Sequence, residues 1–329
     1  MSGVVFDDRA GITPSCTATS LKCHTQLKDE YNKKGILEKY VVTPLYINEI
    51  PSIMDKLNWP MGAAMLRRWF SNPAWEMSNV KERQGIDPAT NKALDYTKIS
   101  PDRVDDKIIK MNWALDPRWN GVVQDAMDEL MHTWPSVEGV KQLHKRLLAA
   151  GWSKGMRSFM FGNKSAGAIV QDLNYQVNIK KFGWYTDTMN DFTAAVFKGN
   201  LKVAVTGEVT HALALGKDFF KVHDLGFYIR DTFDFNSGTG EDFAVGVGVW
   251  SRNGVLSKLQ TADFRAMKAA AMTNPASYVV FQQKYGDFVH VQNDDFRRWR
   301  DKHGTGGDFY VFSDVFWIPA PQIDSIEIP

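Results

Sequence analysis

The feature that most constrains this chain is a change of hydrophobic period near its middle. Up to about residue 157 the apolar residues recur at helical spacing. Beyond it they alternate in short runs separated by turn formers. In the first half Pro60 suits a first helical turn, Ala63, Ala64, Leu66 and Trp69–Phe70 follow, and Pro73 ends the run. Ser78–Asp106 reads as a surface loop and Lys107–Trp113 as a short strand. Asn120–His132 and Ser136–Ala150 read as helices, the second capped by Ser136 and closed by a left-handed Gly151. In the second half Thr193–Phe197 and Leu201–Val205 flank Lys198-Gly199-Asn200, a hairpin signal. Phe219–Ile229, Phe243–Trp250, Tyr278–Phe281, Phe288–Val291 and Phe309–Trp317 also read as strands. Thr261–Thr273 and Asn293–His303 read as helices between them. The predicted class is α+β: a helical N-terminal half packed on a C-terminal antiparallel β-barrel or sandwich. The expected divisions are a polar N-terminal arm over 1–40, a helical domain over 41–157 and a β domain over 158–329.

Charge narrows the range of functions. Lys and Arg total 39 against 38 Asp and Glu, a net charge of +1, so no overall field favours nucleic acid. Met1–Ala10 contains Asp7, Asp8 and Arg9 and has no signal-peptide core, and no run is long and apolar enough for a transmembrane segment. The expected location is the cytoplasm at synthesis. Action elsewhere would need export without a cleaved signal. Cys16, Cys23 and His24 lack the second ligand pair of a zinc site. Seven of the 11 tryptophans crowd the first half, from Trp59 to Trp152. Core packing is the commoner use of such residues, and a stacking platform is the alternative.

Walker, dinucleotide-binding, zinc-protease and α/β-hydrolase signatures are absent. The chemically suggestive window is His223 to Asn236, where an aromatic strand runs into Asp231 and Asp234. If the chain bends between them, the two carboxylates can hold Mg²⁺ or set an acid beside a base. Arg230 can hold a phosphate oxygen or pair with Asp231. The ordinary alternative is a capped strand end. His211, His223 and His290 are candidate bases if folding brings one to the acids. Gly304–Asp308 can cradle an anion or simply connect a helix to a strand. Asp314, an acid in an apolar run, is a secondary candidate.

Ile47-Asn48-Glu49-Ile50-Pro51, Leu57-Asn58-Trp59-Pro60, Trp69-Phe70-x-x-Pro73-Ala74-Trp75, Lys110–Trp113, Tyr228–Phe235 and Gly306–Phe309 together resemble domain-of-unknown-function family 6402. The resemblance implies cargo or accessory proteins of type VI secretion and supplies no reaction. Asp231-Thr232-Phe233-Asp234 is also similar to the Asp-x-Tyr-Asp motif of colicin M-type toxins, which cleave the pyrophosphate link of lipid II. Here Phe233 replaces Tyr, and no His-Arg follows. These resemblances imply a secreted antibacterial effector that hydrolyses a lipid-linked peptidoglycan precursor in the target periplasm. Asp231 and Asp234 would act there with Mg²⁺, Arg230 would hold phosphate and a histidine would serve as base. Expected partners are a secretion spike, neighbouring effector proteins and an immunity protein. The rival expectation is a non-enzymatic adaptor or chaperone that loads an effector onto the spike.

Overall fold

The computed structural model describes residues 45–183, 189–236, 247–321 and 325–329. The arm over 1–40 with Cys16, Cys23 and His24, and the first four residues of the expected strand Phe243–Trp250, lie outside them. The fold mixes α and β. Eleven strands are described: β1 (Val104–Asp105), β2 (Ser158–Phe161), β3 (Gln176–Phe182), β4 (Gly199–Ala212), β5 (Lys217–Phe233), β6 (Gly248–Ser251), β7 (Gly254–Val255), β8 (Val289–Val291), β9 (Phe309–Phe312), β10 (Phe316–Pro319) and β11 (Ile326–Ile328). No helix among the described residues is long and apolar enough to cross a membrane.

The chain forms two compact units. One gathers residues 45–76, 189–195, 234–236 and 247–307. Its helix Pro60–Ser71 begins with proline at the first position, as the sequence predicts, but Trp59 offers no side-chain cap. Asp191, distant in sequence, supplies one by accepting from Gly62 N at 2.8 Å. Trp69 from this helix is fully buried against Phe235 and Phe296, which stack with ring centres 3.6 Å apart. A second core joins Val249, Leu256, Phe264, Phe281 and Tyr285 beside the small sheet β7-β6-β8.

The other unit is built on an eight-stranded sheet that curls into a half-barrel. β4 and β5 form a long hairpin. One edge of β5 follows β4 from Lys217 to Arg230, while its other edge takes β11, β10 and β9 in succession. β4 takes β3 and β2 along its free edge. Twist accumulated over a 17-residue strand makes such a sheet curl. A bulge at Thr206/Gly207 adds to it, and only glycine fits there, because a Cβ on Gly207 would lie 2.3 Å from the Lys221 carbonyl. Helices Val122–Thr133 and Val137–Ala149 pack on β3. Ser136 caps the second by accepting from Gly139 N, and Gly151 is left-handed, both as predicted. Trp69, Trp134 and Trp152 are core residues, so these tryptophans pack rather than form a platform.

Ser78–Asp106, expected as a loop, holds the short helix Val80–Arg83 and strand β1, and further stretches also differ from the sequence expectation. Tyr278–Phe281 lies in helix Pro275–Tyr285, because Asn274 accepts from Ala276 N and Ser277 N and Pro275 opens the turn. A short apolar run cannot by itself separate strand from helix. Thr193 enters helix Asp191–Ala195, started by reciprocal bonds with Asn190. Lys198–Asn200 is therefore no hairpin turn, since β4 already begins at Gly199, and the hairpin that His211 and His223 flank turns at Leu213–Gly216, closed by bonds to the Ala212 carbonyl with Gly216 at φ 61°. Lys107–Trp113 is broken by Asp105, whose carboxylate accepts from Lys107 N and Ile108 N. Phe309–Trp317 is two strands, divided where Ser313 turns to donate to the Asp314 carbonyl.

Phe296→Ala should cost about 3–5 kcal/mol of stability, since it leaves a cavity beneath Trp69 and Phe235. Urea unfolding followed by tryptophan fluorescence measures it. A loss within experimental error would mean that this stack does not hold the unit together.

Candidate functional site

The β4–β5 pairing places polar residues on one face of an otherwise apolar hairpin. Lys202 stands opposite Tyr228, and Asn200 opposite Arg230. Asp172, from helix Ala168–Asn174, accepts through Oδ1 from Lys202 Nζ at 2.6 Å and from the Tyr228 hydroxyl at 2.8 Å. Arg146 donates to the backbone carbonyls of Asp172 and Leu173, the last turn of that helix, where the dipole favours a cation. Arg230 is buried. It donates to the Tyr96 hydroxyl at 2.8 Å and to the Arg83 carbonyl at 2.6 Å, beside the Tyr96 and Tyr310 rings.

Burial holds the Lys202 ammonium below the ordinary lysine range, against the pull of Asp172. Burial also raises the Tyr228 phenol well above its usual range, with Asp172 adding to the effect. The cluster therefore contains a lysine that gives up its proton more readily than usual and a tyrosine that keeps its own.

A second arrangement lies at the turn end of the same hairpin. His211 Nδ1 is 2.9 Å from Asp218 Oδ1, its cross-strand neighbour. Asp218 is fully buried, and its other oxygen accepts from Gly155 N at 3.1 Å. A buried carboxylate at Nδ1 requires a proton there and leaves Nε2 as the acceptor. His211 keeps partial contact with solvent. The contact holds the imidazole in one orientation.

The residues singled out from sequence are distributed as follows. Arg230 and Asp231 are successive strand residues and point to opposite faces, so they do not pair. Arg230 is engaged by Tyr96 and Arg83 instead. Asp231 lies half-buried opposite Val311. Asp234 belongs to the other compact unit. Its Oδ1 accepts from Asn236 N at 3.3 Å and Nδ2 at 2.6 Å, a capped strand exit. Asn236 is tied in turn to Asn293 and Arg297. His223 is exposed in the middle of β5 and His211 stands near its start, the latter about 40 Å along the strand from Asp231. Folding thus gives His211 a different acid, Asp218. His290 lies half-buried in β8. Among the described residues no three His, Cys, Asp or Glu side chains gather as a metal cage. Asp308 is buried and accepts from Met77 N. Asp314 is exposed and accepts from Met111 N across a broken strand, so the two share no regular face.

Asp172, Lys202, Tyr228 and Asp218 were missed by sequence reasoning. Lys202 alternates with apolar neighbours as a solvated strand residue would, and only the helix carrying Asp172 makes its face an interior. Asp218 could have been found from the register, given a turn at Leu213–Gly216.

Residues 45–327 match a family of unknown function (DUF6402). The chain belongs to this family. No curated protein and no solved structure matches it.

Lys202→Met should cost about 1–3 kcal/mol at pH 7, because buried Asp172 loses a charged donor. The folded lysine releases its proton at lower pH than the unfolded one, so within that window the unfolded chain binds more protons. The stability advantage of the unsubstituted protein over the variant should therefore grow as pH rises from 7 toward 10. The tyrosines are common to both proteins and cancel. Urea unfolding at several pH values tests this, and a constant or shrinking gap would refute the lowered lysine.

Proposed function

We propose that this chain is an antibacterial effector delivered to the target cell envelope, where it hydrolyses a phosphate or pyrophosphate ester, with His211 as general base. Delivery by a type VI spike follows from what the family resemblance implies. The observation that carries the chemistry is the 2.9 Å contact between His211 Nδ1 and the fully buried Asp218. In this reading Nε2 takes a proton from water as the water oxygen bonds to phosphorus. The bond from phosphorus to the leaving oxygen breaks, and the imidazolium returns its proton to that oxygen. Asp218 holds the ring and stabilises its charged form, the part that a buried carboxylate plays beside a catalytic histidine. Asp231 and Asp234, the acids first suggested by the colicin M-like window, have no part in this step.

A second reading is an adaptor that loads another effector onto the spike. It is favoured by the exposed apolar residues Leu259, Met272 and Val280 in and beside helices Lys258–Ala271 and Pro275–Tyr285.

The test is growth of a susceptible bacterium that expresses the chain in its periplasm. The expected result is killing by the unsubstituted protein and a loss of about a hundredfold or more with His211→Gln or Asp218→Asn, each folded by circular dichroism. Asp231→Ala should kill normally. Full killing by His211→Gln would refute the catalytic assignment. No killing by any form, with capture of a spike protein, would favour the adaptor.

A further inference from the structure

The turn beyond the His211–Asp218 pair carries large apolar side chains with nothing over them. Leu213 is 87% exposed and Leu215 64%, on the four-residue turn Leu213–Gly216. Met160, 65% exposed, lies on β2, which pairs with β4 just before His211. Met156 is exposed in the segment leading into β2. Two leucines at a hairpin tip are costly to leave in water and add nothing to a core.

The charges around this tip are unbalanced. Lys154 and Arg157 are exposed and pair with no carboxylate among the described residues. The Arg157 carbonyl accepts from His211 N, which fixes this segment beside the turn. Of the nearby acids, Asp218 is buried on His211 and Glu327 is paired with Lys217 at 2.8 Å, while Glu208 accepts from the Ser158 hydroxyl and keeps its charge. An apolar tip flanked by two exposed, unpaired cations, Lys154 and Arg157, complements an anionic bilayer, whose surface attracts each basic residue while the leucines enter the headgroup region.

We infer that the Leu213–Gly216 turn is a membrane-docking tip for anionic lipid, seating His211 at the bilayer surface, so that its substrate is an amphiphile presented by its headgroup. The substrate clause rests on the proposed hydrolytic role of His211; the docking itself does not. His211 stands two residues from Leu213 on the same strand end, so a tip inserted at headgroup depth brings Nε2 to the interface.

The experiment is flotation of the full chain with phosphatidylglycerol-containing vesicles and with pure phosphatidylcholine vesicles, at low and high salt. The expected result is binding to the anionic vesicles, weakened by salt and lowered at least about tenfold by Leu213→Ser/Leu215→Ser and by Lys154→Glu/Arg157→Glu. His211→Gln should float like the unsubstituted protein while losing toxicity, which separates docking from chemistry. Three results would overturn the inference: no flotation, equal flotation of the leucine variant, or equal binding to phosphatidylcholine. Flotation as expected with full toxicity of His211→Gln would leave the docking tip standing and remove the hydrolytic role.

Discussion

The register of the β4–β5 hairpin is the constraint on which the larger sheet unit depends. It sets His211 opposite Asp218 near the turn and Lys202 opposite Tyr228 further along. A slip of one residue would turn every side chain of one strand to the other face and break both sets at once. Two features hold it. Gly216 closes the turn in the left-handed region, and Gly207 allows the bulge that lets strands of unequal length stay paired.

From that register the polar groups follow with their energetic consequences. Asp172 is stable in its position because two donors converge on one oxygen, and Arg146 finishes the helix that carries it. Arg230 is held by a phenol, a carbonyl and two aromatic faces rather than by an acid. Buried charges of this kind contribute little net stability, but removing a single partner leaves the other uncompensated. The network therefore favours one arrangement of strand, helix and loop over its alternatives.

The position of the candidate site was only partly legible in the sequence. His211 is visible in the sequence as a candidate base and as a flank of a second hairpin, but its acid is not, because the pairing with Asp218, seven residues on, depends on the exact strand register. Asp231 and Asp234 looked like a pair through their spacing. Their local surroundings give them different work: one sits within a paired strand, the other caps the chain as it leaves that strand. Beside two acids in the sequence, Arg230 reads as a phosphate ligand or as a partner for Asp231. Tyr96, 134 positions earlier in the chain, takes Arg230 inside.

What the sequence by itself determined were features that depend on near neighbours: the cap at Ser136, the proline start at Pro60, the left-handed Gly151, and helix Asn293–His303. These follow from backbone bonds closed within a turn or two. Only the tertiary structure decided which polar residues became interior and which acid met which base. Those outcomes depend on strand register and on helices returning from far along the chain, so local composition carries no trace of them.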